Sequence, residues 1–354
     1  MKNVISRYSF ALITVLFLLL GCSEKYETIE GVSGMSNIFA TYNSSTQTIG
    51  EETIIRVFTE EGEEITDESI ISVNGENIQG SSFIADEVGL YEIEASHANQ
   101  KAPNLTVEYH DGSQKYFKKR VLIEDYTGTW CGWCPRVSYA MKKVQEIKDE
   151  VVFLAIHRAP SGTADPYNYT NAEPLEQMIN APGYPKGFIN RIHQWDFPEP
   201  FKIYQVVEFT HGSNPKLGLA INSSLNNDKI TINVKVDFAQ DFQNLKLVVQ
   251  VLENGLVWPQ VNYTDYYEGL DPVENYVHDY TLRSTLTNIL GDEIPNAQTR
   301  IDNEWQKTIE YEISNIVEDE SQLDIIAFVV DENNEVVNVR KASLGENQDF
   351  EILD

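Results

Sequence analysis

Two cysteines separated by two residues are the strongest chemical signal in the sequence. Residues 130–135 are Trp-Cys-Gly-Trp-Cys-Pro. Two cysteines at this spacing can close a small disulfide ring, and they fall between a predicted strand and a predicted helix. Unpaired N–H groups and the dipole at a helix N-terminus favour a thiolate. We therefore predict that Cys131, the more exposed cysteine, attacks a substrate and that Cys134 resolves the mixed disulfide.

Zinc binding is the main alternative chemistry for these cysteines. A zinc site would need two further ligands. The chain has no second cysteine pair, and His157 and His193 do not stand at ligand spacing. The sequence therefore favours disulfide exchange, and we predict neither a metal site nor a cofactor.

Residues 121–135 resemble the active-site strand and helix of the thioredoxin superfamily. The resemblance implies a thioredoxin-like fold around the dithiol. It also implies that Asp125, six residues before the first cysteine, is the buried acid that exchanges a proton with the second thiol. The alternative is a solvated carboxylate at the end of the strand, because Glu124 is adjacent and only one of the two is expected to point inward.

Gly183-Tyr184-Pro185 matches the loop that carries a cis proline and faces the dithiol in the same superfamily. The resemblance implies that Pro185 is cis and that Tyr184, Trp130 and Trp133 help to bind an extended substrate. The dipeptide between the cysteines is Gly-Trp, where thioredoxin has Gly-Pro. Because this dipeptide tunes the reduction potential, the direction of electron flow stays open.

A narrower resemblance covers the whole chain, which is similar to lipoproteins related to outer membrane protein 28. It is carried by the segments 131–135, 183–191 and 275–283 and by the lipobox-like residues 19–22. Some members of that group are described as adhesins or surface antigens. The resemblance implies a location in the cell envelope and leaves the activity open.

The N-terminus is predicted to be a lipoprotein signal peptide. Lys2 and Arg7 precede an apolar run from Phe10 to Leu20, which is too short to span a bilayer. The run ends at Cys22, which the lipobox resemblance implies is lipidated. An ordinary secretory signal with a chance cysteine is the alternative. With Cys22 in the anchor, the remaining two of the three cysteines form one pair. We expect a lipid-anchored protein of the cell envelope, in the outer membrane, on its periplasmic face or at the cell surface.

Hydrophobic periodicity predicts a multidomain protein with a central α/β domain between two β-sandwiches. The superfamily resemblance implies that the central domain is thioredoxin-like, and the stretch Gly89–Ala95 resembles a strand of immunoglobulin-like bacterial modules, which implies immunoglobulin-like sandwiches. A signal peptide over 1–21 and a tether over 22–34 come first. Period-two alternation with Asn-Gly turns predicts the first sandwich over 35–112. Strands alternating with helices predict the α/β domain over 116–212. The alternation then returns and predicts the second sandwich over 215–354.

Charge and site chemistry limit the possible functions. The net charge of -29 argues against nucleic acid as a partner. One hypothesis is a thiol–disulfide oxidoreductase that acts on protein thiols or disulfides of the cell envelope, which Asp125 and Pro185 favour. The other is a binding or adhesion lipoprotein whose cysteines form a static disulfide in a scaffold, which the flanking sandwiches favour. If Cys131 is fully buried, the oxidoreductase hypothesis fails and the scaffold takes its place.

Overall fold

Alternation of apolar and polar side chains dominates the chain, and β-strands dominate the fold. The structure, a computed structural model, describes residues 38–180 and 183–353. Within these residues the helical content is low, which confirms the expected β-rich character. Single 3₁₀ turns occupy Thr66–Glu68, Thr170–Ala172, Glu199–Phe201, Tyr267–Gly269 and Glu320–Gln322.

The first segment forms two β-sheets around a shared core. Its strands are β1 (Ile38–Tyr42), β2 (Thr46–Thr48), β3 (Glu52–Thr59), β4 (Ile70–Val73), β5 (Glu76–Asn77), β6 (Ser82–Ile84), β7 (Gly89–His97), β8 (Gln100–Lys101) and β9 (Leu105–His110). One sheet has the order β1-β3-β6, and the other has the order β2-β9-β7-β4-β5 with β8 beside β7. Val57, Ile93 and Val107 lie in the core between them.

The second segment alternates strands and helices. Its elements are β10 (Tyr116–Phe117), β11 (Val121–Thr127), α1 (Pro135–Ile147), β12 (Val151–His157), α2 (Glu173–Ile179), β13 (Lys186–Ile189), β14 (His193–Gln194) and α3 (Ile203–Thr210). β12 is parallel to β11, whereas β13 is antiparallel to it. Every residue of β11 and β12 is buried, because helices α1 and α3 cover one face of this sheet and a second core covers the other.

The third segment returns to strands. These are β15 (Leu217–Asn226), β16 (Lys229–Phe238), β17 (Lys246–Glu253), β18 (Leu256–Val257), β19 (Val277–His278), β20 (Thr281–Thr285), β21 (Asp292–Glu293), β22 (Glu304–Glu312), β23 (Leu323–Val330), β24 (Val336–Ser343) and β25 (Ile352–Leu353). The sheet β15-β16-β22 shares a core with β17 and β23, in which Leu219 and Ile232 meet Val249 and Ile325.

One sheet runs across the expected boundary between residues 212 and 215. Its order is β14-β13-β11-β12-β20-β17-β23-β24, with β21 beside β17, which makes nine strands among the described residues. The junction is a parallel pairing in which Ala155 stands opposite Thr281 and donates its N–H to the Tyr280 carbonyl at 2.9 Å. This pairing covers an edge of β12 that would otherwise be open. The segments 116–212 and 215–354 therefore share a sheet, and the boundary between them stays a prediction.

A protease site inserted at the exposed Gly212 tests whether these two segments fold separately. We expect the two fragments to co-elute in gel filtration after cleavage, because the nine-stranded sheet and the core common to both segments hold them together. The same insertion at the exposed Gly112 is the matched control, because the strands β1–β9 before Gly112 share no sheet with the strands that follow it. Fragments from the Gly112 cut should separate at a lower denaturant concentration. Two folded fragments that part spontaneously after the Gly212 cut would contradict this expectation.

Candidate functional site

The two cysteines lie in the loop between β11 and α1 and are joined by a disulfide bond. The two sulfur atoms are 2.08 Å apart and the two Cα atoms 5.4 Å apart. Cys134 directly precedes α1, and Pro135 is the first helical residue, where a proline fits because an N–H there would have no helical partner. The Cys134 N–H donates to the Cys131 carbonyl at 3.1 Å and closes the turn. The dithiol therefore lies at the strand-to-helix junction that the sequence predicts.

Both cysteine side chains are buried in the disulfide form. Cys131 is 4% exposed and Cys134 is 1% exposed. Cys131 is the more exposed of the two, in the expected order, but this conformation does not open it to a protein substrate. Trp133, which lies between them in sequence, is 53% exposed. The site thus presents an indole to solvent while its sulfur atoms are covered.

A loop from the C-terminal segment, residues 258–276, lies across the dithiol, and we call it the strap. It connects β18 to β19, and these two strands pair with each other at its base. The Val261 N–H donates to the Thr129 carbonyl at 2.9 Å, and the Tyr263 N–H donates to the Gly132 carbonyl at 2.7 Å. The strap is therefore hydrogen-bonded to the loop on both sides of Cys131.

Gln260 adds a side-chain anchor next to the disulfide. Its Nε2 donates to the Cys131 carbonyl at 3.0 Å and to the Gly128 carbonyl at 3.3 Å, and the residue is 3% exposed. Sequence analysis identifies neither Gln260 nor Tyr263 as site residues. No local motif marks them, because the pairing of β12 with β20 is what brings their loop to the dithiol.

The glycine between the cysteines is fitted to the strap. A Cβ atom at Gly132 would lie 2.3 Å from Cδ2 of the Tyr263 ring, far inside van der Waals contact. The Tyr263 ring also meets the Trp133 ring edge-on, with centroids 6.0 Å apart. A side chain larger than that of glycine at position 132 would therefore push the strap away from the disulfide.

The Tyr184–Pro185 peptide bond is cis, and its loop lies beside the dithiol loop. The Tyr184 ring meets the Trp130 ring edge-on, with centroids 5.7 Å apart. Trp130 is held in turn by a bond from Nε1 to the Arg158 carbonyl at 2.7 Å. The Tyr184 hydroxyl donates to Glu176 of α2. Of the residues that the sequence predicts to bind substrate, Trp130 and Tyr184 are thus in contact, whereas Trp133 contacts the strap.

Asp125 is buried on the face of β11 that α1 covers. It is 1% exposed, and its Oδ1 has no hydrogen-bond partner among the residues that the structure describes. It lines a cavity of about 70 Å³ together with Ser138 of α1 and Tyr276 of the strap. The cavity is therefore shared by the acid, the helix that follows the dithiol and the end of the strap.

Burial raises the pKa of Asp125 well above its ordinary value. The nearby carboxylate of Glu199 raises it further, while the guanidinium of Arg136 and the hydroxyl of Ser138 act in the opposite direction. Glu199 is itself paired with Arg136, whose Nη2 donates to it at 3.2 Å. Asp125 consequently tends to hold its proton in the folded protein.

Glu124 is also buried, which corrects the expectation that only one of the two acids can point inward. It is 0% exposed, like its ion-pair partner Arg191, whose Nε lies 3.3 Å from Glu124 Oε1. The Tyr126 hydroxyl donates to the other carboxylate oxygen at 3.1 Å. Adjacent residues of a strand face opposite sides, and both sides of this sheet are covered. Both acids are therefore inside, one ion-paired and the other with an unpartnered oxygen.

A buried acid and two histidines support the base of the site. Asp165 Oδ2 accepts the Thr129 N–H at 2.7 Å and lies 3.0 Å from His157 Nδ1. The His278 ring lies 5.1 Å from the His157 ring, and its Nε2 lies 3.1 Å from the Trp258 carbonyl. Burial lowers the pKa of His278 to about 3, so His278 is neutral at physiological pH. In residues 38–180 and 183–353, no group of three or more His, Cys, Asp or Glu side chains is arranged to hold a metal ion.

Comparison with known proteins identifies the family. The family described as outer membrane protein Omp28 matches residues 172–348, half of the chain. The chain belongs to the Omp28 family. Its fold is similar to that of HBP35 of Porphyromonas gingivalis, with 19% identity over 66% of this chain and 77% of that chain and a TM-score of 0.51. A domain of the outer membrane lipoprotein Omp28 from the same organism matches with 17% identity over 38% of this chain and 99% of that chain, with a TM-score of 0.25. No curated protein sequence matches the chain significantly.

Membership of the Omp28 family confirms the expected location at the outer membrane. The matched range includes the Tyr184–Pro185 loop and the strap, whereas both cysteines precede it. Among the described residues, no helix has the length and apolar character to cross a bilayer. Cys22 lies outside the described residues, so its lipidation stays a prediction.

Asp125→Asn is expected to stabilise the protein at neutral pH. Because burial raises the pKa of Asp125, the folded state holds this proton more tightly than the unfolded state, and ionisation at neutral pH costs stability. The neutral amide should raise the free energy of unfolding at pH 7, by about 1.4 kcal/mol for each unit by which burial raises the pKa of Asp125. The gain should vanish as the pH falls to the ordinary aspartate pKa of about 3.9. Denaturant titrations across this pH range measure the difference.

Glu124→Gln is the matched control on the adjacent residue, with the opposite expected sign. It removes the charge that compensates the fully buried Arg191, and the free energy of unfolding should fall by about 3–5 kcal/mol. Equal losses of stability in both variants would contradict this expectation, because they would show that the folded protein stabilises the ionised Asp125 carboxylate.

Proposed function

We propose that this Omp28-family protein is a lipid-anchored thiol–disulfide oxidoreductase of the cell envelope. In this proposal residues 116–212 form a thioredoxin-like domain, and Cys131 and Cys134 are the exchanging pair. The observation that carries the proposal is the strand order β14-β13-β11-β12 with the dithiol at the start of the helix that follows β11. A βαβ unit followed by a hairpin and a helix is the arrangement of the thioredoxin superfamily, which residues 121–135 resemble.

The exchange reaction uses the two sulfur atoms in turn. In the reduced protein, the Cys131 thiolate attacks one sulfur of a substrate disulfide and releases the other as a thiolate. The Cys134 thiolate then attacks Cys131 Sγ, which restores the Cys131–Cys134 bond and releases the second substrate thiolate. Two electrons pass from the protein to the substrate, and the same steps in reverse oxidise a substrate dithiol. The start of α1 favours the thiolate form at Cys131.

Asp125 is proposed to exchange a proton with Cys134: the protonated acid must first ionise, and its carboxylate then accepts the proton of the Cys134 thiol when the mixed disulfide resolves. A general base must be able to exchange a proton near the working pH, and burial moves the pKa of Asp125 in that direction. The cavity of about 70 Å³ beside it, lined by Lys142 and Gln145, gives the proton a polar surrounding. No metal or organic cofactor takes part in this scheme.

Substrates are proposed to be protein thiols or disulfides of the envelope, bound on the side of Tyr184 and Pro185. An extended chain can pair with an exposed backbone edge there. Trp130 and Trp133 frame the dithiol, and Trp133 is 53% exposed, so an apolar segment of a substrate would find an indole to contact.

A static disulfide within a binding or adhesion lipoprotein is the second candidate function. The specific observation in its favour is that Cys131 is only 4% exposed beneath a strap hydrogen-bonded to Thr129 and Gly132. In that case the thioredoxin-like segment is a scaffold, and binding resides in the flanking sheets. This candidate differs from the first in the reactivity of the disulfide, which can be measured.

Cys134→Ala is expected to trap mixed disulfides with envelope proteins through Cys131, because the resolving thiol is absent. Cys131→Ala, the matched control, should trap few or none. Asp125→Asn should slow resolution more than attack. Non-reducing electrophoresis with mass spectrometry of the adducts measures trapping, and rapid-mixing kinetics measure the two steps. No adducts in either variant, together with a reduction potential below about -300 mV, would replace the oxidoreductase by the scaffold.

Cys22→Ala is expected to move the protein from the membrane fraction to the soluble fraction. Two or more acyl chains on this residue would supply nearly all of the membrane affinity. Fractionation measures the shift, and mass spectrometry of the wild-type protein should find an acylated Cys22 as the mature N-terminus. A variant that stays in the membrane fraction, or a wild-type chain that begins elsewhere, would contradict the anchor.

A further inference from the structure

The strap has an internal set of hydrogen bonds that keeps its own shape. Asn262 is 2% exposed, and its Nδ2 donates to the carbonyls of Tyr266 and Leu270 at 2.9 and 3.0 Å. The Asn262 N–H donates to Asp271 Oδ1 at 3.0 Å, and the Thr264 hydroxyl donates to Asn262 Oδ1 at 2.6 Å. Because these bonds join strap residues to each other, they do not depend on the dithiol loop.

A second, separate set of contacts holds the strap to the dithiol loop. It consists of the bonds from Gln260, Val261 and Tyr263 to backbone carbonyls, together with the contact of the Tyr263 ring with Gly132. The ring is placed at the surface, since Tyr263 is 58% exposed. The set consists of hydrogen bonds and one ring contact at the surface, and segments with few buried apolar contacts open locally at low cost.

The strap also touches α1 away from the disulfide. The Tyr266 ring stacks on the Tyr139 ring, with centroids 4.2 Å apart. At the base, Leu256 pairs with His278 between β18 and β19. These contacts give the strap a fixed base and a side support, while the Gln260–Tyr263 stretch is the part that bonds to the dithiol loop.

We propose that the strap is a gate over the dithiol, which closes it by placing the Tyr263 ring against Gly132 and opens by releasing the bonds of Gln260, Val261 and Tyr263 to the dithiol loop. The inference rests on the proposed exchange activity for its biological meaning. Attack on the disulfide requires an incoming sulfur atom to reach one of the two buried sulfurs. Release of Gln260, Val261 and Tyr263 from the dithiol loop uncovers Cys131, while the bonds of Asn262 within the strap stay intact. Gly132, the glycine of the Cys-Gly-Trp-Cys sequence, is then the contact point of the Tyr263 ring in the closed state.

The chemistry that reports on the gate is reduction by a small dithiol. A thiolate of dithiothreitol attacks Cys131 Sγ, the Cys131–Cys134 bond breaks, and Cys134 leaves as a thiolate. The second thiol of dithiothreitol then attacks the mixed disulfide, so that cyclic oxidised dithiothreitol and the Cys131 thiolate are formed. Two electrons pass from the reagent to the protein, and thiol labelling with mass detection gives the rate.

Tyr263→Ala in the full chain is the direct test. It removes the ring that covers Gly132, and we expect reduction by dithiothreitol to become at least about tenfold faster, because the open state gains population. Leu270→Ala is the matched control, since Leu270 is a strap residue that is 53% exposed and lies outside the 260–263 stretch. Its rate should equal that of the wild type. Equal rates for Tyr263→Ala and Leu270→Ala would overturn the gate.

Gly132→Ala changes the other partner of the same contact, so it tests the gate independently of any folding defect in Tyr263→Ala. A Cβ atom there collides with the Tyr263 ring, so this variant should also be reduced faster than the wild type. In a Tyr263→Ala background the same substitution should have no further effect, because the ring it displaces is gone. Additive effects of the two substitutions on the reduction rate would overturn the proposed contact between the Tyr263 ring and Gly132. Thermal unfolding identifies any variant that has lost its fold.

Failure of the gate and failure of the proposed activity give different results. Faster reduction of Tyr263→Ala, with no mixed disulfides trapped in the Cys134→Ala or Cys134→Ala/Tyr263→Ala variants, supports the gate and overturns the oxidoreductase. Trapped protein substrates with equal dithiothreitol rates in all strap variants support the oxidoreductase and overturn the gate.

Discussion

The parallel pairing of β12 with β20 is the interaction on which the site depends. A single register, Ala155 opposite Thr281, joins the α/β segment to the C-terminal strands and extends one sheet through both. β19 and the strap immediately precede β20 in sequence, so this pairing fixes where the strap can reach. Without it, Gln260 and Tyr263 would belong to a different part of the molecule from Cys131. The cover over the dithiol is thus a consequence of sheet extension.

Local sequence patterns predict the elements of the site well and their long-range arrangement poorly. The helical spacing of Val137, Ala140 and Val144 predicts α1, and these residues are buried in its apolar face. The dithiol likewise lies at the predicted end of a strand. The join between β12 and β20 leaves no such trace, because it pairs strands that are distant in the chain, and the mostly polar β20, Thr-Leu-Arg-Ser-Thr, has no apolar run that would mark it as the partner of β12. The position of the strap depends on that pairing, so local sequence patterns do not predict it either.

Glu124 and Asp125 show a second limit of pattern-based prediction. Alternation along a strand assigns one of two neighbours to the inside only when the other face of the sheet is open to water. β11 lies inside a sheet with helices α1 and α3 on one face and a core of strand residues and helix α2 on the other. Glu124 and Asp125 therefore face different cores, and the energetic cost of burying a carboxylate is offset differently at each. Arg191 pairs with Glu124, although burial still raises the pKa of Glu124, while burial raises the pKa of Asp125 well above its ordinary value.

The position of Trp133 gives the molecule a built-in optical probe. The indole is exposed to solvent at the start of α1, and its nearest aromatic partner in the strap is the Tyr263 ring. The emission of an indole depends on its polar and aromatic surroundings, and the disulfide itself is a quencher at close range. Displacement of a single loop would therefore change the fluorescence of the unlabelled protein. The same residue that separates the cysteines in sequence can signal, in real time, whether they are covered.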